Sequence, residues 1–228
     1  MSLYLHIPKT AGTALRNSFR LEENKYKVKP FNVAVTHELT IYNTHRQVFF
    51  SIRDPLERFC SGYWERYTNS RRKQLNNQAP VRFRGGGYQD LTRVEEMVFN
   101  LYPTPNDLIT AIREHKINYT QHDISGHQLN LLLMPLTMWT GKLELFKLHE
   151  HKVGAVFHQK NLSTIMKNTF NIDMTRDSFL KRSRDQFPDV FQSYEISDIN
   201  RIWFTNYYRR PDYQIIEYIK TRPYYIDS

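Results

Sequence analysis

The chain has 228 residues, a length that suits one α/β domain with a sizeable core and is short for two. Its 15 tyrosines and 14 phenylalanines argue against disorder of the whole chain, and a single cysteine excludes an intrachain disulfide. The net charge of +9 favours anionic partners, namely nucleotides, nucleic acid, acidic polysaccharide or an anionic membrane surface.

Three short strands are predicted in the first quarter of the chain. Residues 2–8 and 31–37 are mainly apolar runs, and residues 47–52 are apolar on both faces, which suits a central parallel strand covered by helices. A helix is predicted over 55–67, because Asp54 can act as its N-cap and a proline occupies its first position. Strand, loop and helix therefore alternate from the start.

The rest of the chain continues this alternation after an interruption. Residues 69–90 are polar, basic and rich in glycine, which indicates a mobile insertion. Further elements are predicted in this order: helices beginning near Thr92 and Thr104, a strand at 153–157, a helix at 162–170 and two closing helices separated at Pro211. The pattern indicates a three-layer α/β fold, in which a mainly parallel sheet is flanked by helices, within a single domain over 1–228.

The first candidate site is the segment HIPKTAGTAL, residues 6–15, which follows the predicted strand at 2–8 and leads into a helix predicted to begin at Thr13. Such a turn directs backbone N–H groups and the positive end of a helix dipole toward an anion. Gly12 allows close approach of the backbone, and Lys9 supplies a positive charge. The hydroxyls of Thr10 and Thr13 can donate hydrogen bonds. The Walker A pattern is absent, which disfavours a P-loop ATPase, but an ordinary strand-to-helix turn remains an alternative.

The second candidate site is the segment SIRDPLERFCSGY, residues 51–63. Arg53 follows the third strand, where ligands bind in open α/β sheets, and its guanidinium suits a dianionic phosphate. Ser61, about two turns into the helix, can add a hydroxyl. The alternative is that Arg53 forms a structural ion pair with Asp54 or Glu57. Two side chains of the same helix are expected to serve packing rather than ligand binding: Arg58 and Cys60.

HIPKTAGT, followed some forty residues later by RDPLERFCSGY, resembles the superfamily of sulfotransferases that use 3'-phosphoadenosine-5'-phosphosulfate (PAPS). The chain is most similar to the carbohydrate branch that includes the heparan sulfate O-sulfotransferases. The resemblance extends more weakly to VGAVFHQKNLSTI and to YYRRPDYQIIEY near the C-terminus. It covers about half of the chain.

The resemblance implies a P-loop-like sulfotransferase fold with a site for PAPS, which leaves as 3'-phosphoadenosine-5'-phosphate (PAP). The first segment would hold the 5'-phosphosulfate and the second segment the 3'-phosphate. The residues implied for donor binding are Lys9, Thr10, Ala11, Gly12, Thr13, Ala14, Arg53 and Ser61. Relatives often close a basic loop over the 3'-phosphate late in the chain. Arg182 is the candidate for that role, and a solvated surface loop is its alternative.

His37 is the candidate catalytic base, because it follows the second strand and would share the carboxyl edge of the sheet with Lys9 and Arg53. A histidine suits this role since its unperturbed pKa is about 6.5. The resemblance implies the same, because several relatives carry a histidine or an acidic residue there, and Glu38 is the alternative base. We expect in-line displacement at sulfur, in which Lys9 stabilises the charge on the leaving oxygen and no metal ion is required.

The resemblance favours a carbohydrate hydroxyl as the acceptor, and the positive charge suits an anionic saccharide. We expect no nucleic-acid partner. No stretch approaches the roughly 18 apolar residues of a membrane span, and the first residues do not form a signal peptide, so we expect a soluble cytoplasmic protein.

Three other functions compete with this one. The basic charge and abundant aromatics also suit a nucleic-acid-binding protein, although no known module is present and the two phosphate segments stay unexplained. A nucleotide kinase with a non-Walker loop would show Mg²⁺-dependent turnover of ATP. A protein that kept the nucleotide site and lost catalysis would bind PAPS without transferring the sulfuryl group.

Overall fold

The computed structural model describes residues 3–5, 7, 10, 32–34, 40–75, 97–116, 134–170 and 195–227. The strands are β1 Leu3–Leu5, β2 Asn32–Ala34, β3 Val48–Ile52, β4 Val153–His158 and β5 Tyr225–Ile226. The α-helices are α1 Pro55–Leu75, α2 Pro105–Arg113, α3 Thr137–Thr140, α4 Leu143–His149, α5 Leu162–Phe170, α6 Asp198–Trp203 and α7 Arg210–Lys220. Residues 97–101 are also helical. The remaining turns are 3₁₀ at Glu150–Lys152 and Gln159–Asn161 and π-helical at Phe204–Tyr208.

The five strands form one sheet in the order β2-β1-β3-β4-β5, and every neighbouring pair is parallel. Parallel neighbours need crossover connections, which helices usually supply. The α/β class and the parallel sheet flanked by helices are therefore confirmed, and β3 occupies the central position that its apolar sequence predicted.

Both faces of the central strands are buried. On one face, Tyr4 aligns with Phe49, and Phe49 aligns with Ala155 on β4. The opposite face carries buried side chains that include Leu3, Leu5, Val48, Phe50, Ile52 and Val156. Burial on both faces explains why these strands are apolar runs rather than alternating patterns.

Helix α5 covers the first of these faces. Its Leu162, Ile165 and Met166 form a hydrophobic cluster with Tyr4 and Phe157 of the sheet. The three helical positions lie on one side of the helix, since residues three and four apart share a face. This helix has the bounds that the sequence predicted, residues 162–170.

Helix α1 begins at Pro55 as predicted but continues to Leu75, eight residues beyond the predicted end. Residues 69–75, which were assigned to the insertion, are therefore helical, and this part of the prediction was wrong. Straight-chain residues such as Lys, Arg and Gln lose little rotamer freedom in a helix, so a helix can continue there without an apolar period to mark its end. The remainder of the insertion, 76–90, lies outside the described residues.

Other predicted elements are borne out with small shifts. Helix α2 has a capping box in which Thr104 Oγ1 accepts from the Asp107 N–H at 3.1 Å and Asp107 Oδ2 accepts from the Thr104 N–H at 3.1 Å. The closing helices are separated at Arg209 rather than Pro211, because the proline occupies the first turn of α7. Helices α3 and α4 and strand β5 were not predicted.

The residues group into two compact units. The first unit consists of Met1–Pro55, Pro135–Phe179 and Arg209–Ser228, and it contains the whole sheet. The second unit consists of Leu56–Met134 and Leu180–Tyr208. The single-domain organisation remains a prediction. Within the described residues, no helix is both long and apolar enough to cross a membrane.

The second unit has its own aromatic core. The ring of Phe59 lies 5.4 Å from that of Phe204, and the ring of Tyr63 packs edge-on against Phe99 at 5.2 Å. Such tilted and edge-on pairs are the preferred arrangements of aromatic rings. The buried amide of Asn200 donates to Thr110 Oγ1 at 2.7 Å, which joins α6 to α2.

Candidate active site

The sheet order brings the ends of β1 and β3 together. Strand β1 pairs with β2 on one side and with β3 on the other, so the chain reverses direction across the sheet between β1 and β3. Because all strands are parallel, they end at one edge, which we call the carboxyl edge. Open α/β sheets bind ligands outside this edge, at the point where the strand order reverses. The segments that follow β1 and β3 include both predicted phosphate sites.

A chain of buried hydroxyl groups links the segment after β1 to strand β3. Tyr4 and Ser51 hydrogen-bond to each other through their hydroxyls at 2.6 Å, and Ser51 Oγ donates to the backbone carbonyl of Thr10. Thr10 Oγ1 donates to the carbonyl of Ile7 at 2.8 Å and lies 3.1 Å from Ser51 Oγ. All three hydroxyl-bearing residues are buried. These hydrogen bonds attach the segment after β1 to the carboxyl-terminal end of β3.

The direction of these hydrogen bonds follows from proton count. A hydroxyl has one proton to donate. Since Ser51 donates to the Thr10 carbonyl, Tyr4 must donate to Ser51, and the Thr10 proton goes to Ile7. Burial raises the pKa of the Tyr4 hydroxyl well above its usual value near 10, and the hydrogen bond with Ser51 offsets part of that rise. Tyr4 is therefore a neutral donor at physiological pH.

Thr10 was predicted to bind the donor, but its side-chain hydroxyl is hydrogen-bonded within the protein. Its hydroxyl proton is donated within the protein, and the residue is 1% exposed. A role for Thr10 in binding a phosphosulfate therefore fits its backbone better than its hydroxyl. Within the first candidate segment, the structure describes Ile7 and Thr10.

Arg53 follows β3 directly and is half-buried at the carboxyl edge. Its predicted partner in phosphate binding, Ser61, is the seventh residue of α1 and is also partly exposed. Arg53 belongs to the first unit and Ser61 to the second. The alternative of an ion pair between Arg53 and Asp54 or Glu57 stays open.

Most of the other predicted site residues lie outside the described residues. They are the donor-loop residues Lys9, Ala11, Gly12, Thr13 and Ala14, the candidate bases His37 and Glu38, and Arg182. Strand β2 ends at Ala34, so His37 follows its end by three residues. Their assignments remain predictions.

The two residues of α1 that were expected to pack do so. Arg58 is buried and donates a hydrogen bond to the carbonyl of Met134. Cys60 forms no disulfide, and its thiol is buried in the apolar cluster of the second unit. A buried thiol in apolar surroundings is inert compared with an exposed one.

His149 and His151 are close in sequence and lie just before β4, at the edge of the sheet opposite to the carboxyl edge. Desolvation, followed by the charges of Lys152 and His151, lowers the pKa of His149. This position separates both histidines from the candidate donor site.

The structure draws attention to one histidine that the sequence analysis did not select. His158 ends β4, and its register partner on β3 is Ile52, the residue before Arg53. Its side chain is 19% exposed, and its Nδ1 lies 3.8 Å from Asp227 Oδ1. The available signal was a polar residue at the end of the apolar run VGAVF. Tyr4 and Ser51 gave the same kind of signal, a hydroxyl inside an otherwise apolar strand.

A family model described as the sulfotransferase family matches residues 2–122, which is just over half of the chain. The matched range includes β1, β2 and β3 and both candidate phosphate segments. No curated protein sequence and no solved structure matches the chain.

Proposed function

This chain belongs to the sulfotransferase family, and from that premise we propose that it transfers the sulfuryl group of PAPS to a carbohydrate hydroxyl. The observation that carries the proposal is the junction of β1 and β3. The two segments predicted to hold the two phosphate ends of PAPS follow neighbouring parallel strands at the switch point. Ser51 of β3 is hydrogen-bonded to Thr10 of the first segment.

The proposed donor site divides the nucleotide between these segments. The residues assigned to the 5'-phosphosulfate are Lys9, Thr10, Ala11, Gly12, Thr13 and Ala14. Arg53 and Ser61 hold the 3'-phosphate, with Arg182 added from the later part of the chain. Arg53 is well suited to this role because a guanidinium gives paired hydrogen bonds to phosphate.

The proposed reaction is an in-line displacement at sulfur. His37 removes the proton of the acceptor hydroxyl while its oxygen forms a bond to sulfur, and Glu38 is the alternative base. The bond between sulfur and the 5'-phosphate oxygen breaks, and PAP leaves with the electron pair. Lys9 stabilises the negative charge that develops on the leaving oxygen.

The proposed acceptor is an anionic saccharide. Support comes from the resemblance to the carbohydrate branch and from the net charge of +9, which raises the local concentration of an anionic substrate. Transfer of ³⁵S from labelled PAPS to a panel of polysaccharides, tyrosine peptides and lipids tests this choice. Labelling of the peptides or lipids alone would contradict it.

The donor assignment is tested by thermal unfolding with PAP, AMP and ATP. A ligand that binds only the folded state stabilises it by about 2.7 kcal/mol at a hundred times its dissociation constant. We expect a shift of roughly 5–10 °C with PAP and a far smaller one with AMP, which lacks the 3'-phosphate. Equal shifts with AMP and PAP, or a Mg²⁺-dependent shift with ATP alone, would remove the assignment.

A further inference from the structure

Two buried hydroxyl residues of the sheet are not among the residues proposed above to bind the donor. Tyr4 is 1% exposed and Ser51 is 0% exposed, and both face the cluster covered by α5. A hydroxyl buried in apolar surroundings costs free energy unless it is hydrogen-bonded. Phenylalanine and alanine would fill these positions without that cost. Packing alone therefore does not explain why hydroxyl groups occupy these two positions.

The reason lies in what the hydrogen bonds hold. Tyr4 and Ser51 sit on adjacent strands, and their hydroxyls join in a chain that ends on the backbone carbonyl of Thr10. Thr10 is 41 residues away from Ser51 in sequence. The Thr10 hydroxyl in turn donates to the carbonyl of Ile7, and the N–H of Ile7 donates at 3.1 Å to the carbonyl of Leu5, the last residue of β1. The two ends of the segment Ile7–Thr10 are thereby tied to β1 and β3.

We propose that Tyr4 and Ser51 are positioning residues, which hold the loop after β1 in the geometry that receives the 5'-phosphate end of the donor. This inference rests on the proposed function and deepens it, since it names residues that act through the loop without touching the nucleotide. Phosphate held by backbone N–H groups requires those groups to be oriented before binding. Ser51 acts directly on the loop, and Tyr4 acts through Ser51.

The test compares two nucleotides that differ at one end. PAP carries both phosphates, whereas adenosine 3'-monophosphate lacks the 5'-phosphate that the loop would bind. In the variant Ser51→Ala, we expect the affinity for PAP to fall about tenfold, which equals about 1.4 kcal/mol. The affinity for adenosine 3'-monophosphate should change less than about twofold, the scatter seen for independent sites. Both are measured by isothermal titration calorimetry.

Two further variants separate positioning from general stability. Thr140→Val removes a buried hydroxyl of the same unit, which lies 3.1 Å from the carbonyls of both Leu136 and Gly141. It should change the melting temperature without changing the ratio of the two affinities. Ser51→Thr keeps the hydroxyl and should restore the wild-type ratio. If Ser51→Ala does not fold, Tyr4→Phe carries the same test, with an expected loss of about threefold for PAP.

The outcomes distinguish a failure of the positioning role from a failure of the proposed function. A Ser51→Ala protein that binds PAP like the wild type, or loses both ligands equally, overturns the positioning role and leaves the proposed function standing. A wild-type protein that binds PAP no better than adenosine 5'-monophosphate overturns the proposed function and this inference together. A selective loss of PAP affinity that Ser51→Thr restores supports both.

Discussion

The hydroxyl of Tyr4 links protonation to stability, because its pKa is raised by burial in the folded chain. A raised folded pKa means that this contribution to stability is complete below about pH 10 and is lost as the pH rises toward the folded pKa. We expect the unfolding free energy of the wild type to fall between about pH 9.5 and 11 more steeply than that of Tyr4→Phe, by up to about 1.4 kcal/mol per pH unit. Urea unfolding across this range measures it. Parallel curves for the two proteins would contradict the expectation.

Arg53 allows a second prediction, because a matched arginine lies at the other end of the same strand. Arg53 follows the carboxyl end of β3, whereas the exposed Arg46 precedes its amino end. Arg53→Ala should weaken PAP binding by about 1.5–3 kcal/mol, the range for hydrogen bonds to a charged group. Arg46→Ala makes the same change in net charge and should have little effect. Similar losses in the two variants would assign the effect to overall charge.

The residues of this site could be predicted from the sequence better than the contacts that their side chains make. Arg53 was selected because it follows an apolar strand, and the structure places it at the carboxyl edge. Thr10 was selected for its hydroxyl, yet that hydroxyl is donated to Ile7. The direction of a threonine side chain depends on groups that are distant in sequence, here Ser51. A local sequence pattern does not show which groups these are.

At the scale of single elements, the N-terminus of α2 offers a measurable contribution. Thr104 and Asp107 exchange side-chain to backbone hydrogen bonds, which satisfies two N–H groups that the helix itself cannot pair. Thr104→Ala should lower the unfolding free energy by about 1 kcal/mol. Thr164→Ala, at an exposed position inside α5, is the control and should change it by less than about 0.5 kcal/mol. An equal loss in both variants would show that the cap contributes nothing specific.

Elements with strong local signals could be predicted, and those stabilised from outside could not. The capping box of α2 and the apolar runs of β3 and β4 are written in adjacent residues. Strand β5 has only two residues among those described, and its extended conformation is stabilised by pairing with β4. Helix α4 buries Phe146 but leaves Leu148 68% exposed, so its apolar residues do not mark one face. In both cases tertiary contacts decide the conformation.

At the scale of the whole molecule, the strand order has a chemical consequence. A central β3 flanked by β1 and β4 collects the ends of three strands at one edge: the Ile7–Thr10 segment, Arg53 and His158. Residues far apart in sequence thereby reach one edge, although the chain forms most of the second unit between β3 and β4. The alternation of strands and helices predicted a parallel sheet, but the order of its strands, and hence this grouping, came from pairing that sequence patterns do not encode.

The net charge of +9 suits both the proposed enzyme and a nucleic-acid-binding protein. The salt dependence of ligand binding distinguishes the two functions. A protein that neutralises six to ten DNA phosphates loses about 10³–10⁵ in affinity between 50 and 200 mM salt. PAP held by a few groups in a partly buried site is screened much less, so we expect its affinity to fall less than about tenfold over that range. Fluorescence titration of PAP and of a single-stranded DNA 20-mer measures both slopes. Tight DNA binding with a steep slope, together with no selectivity for PAP, would favour the nucleic-acid function instead.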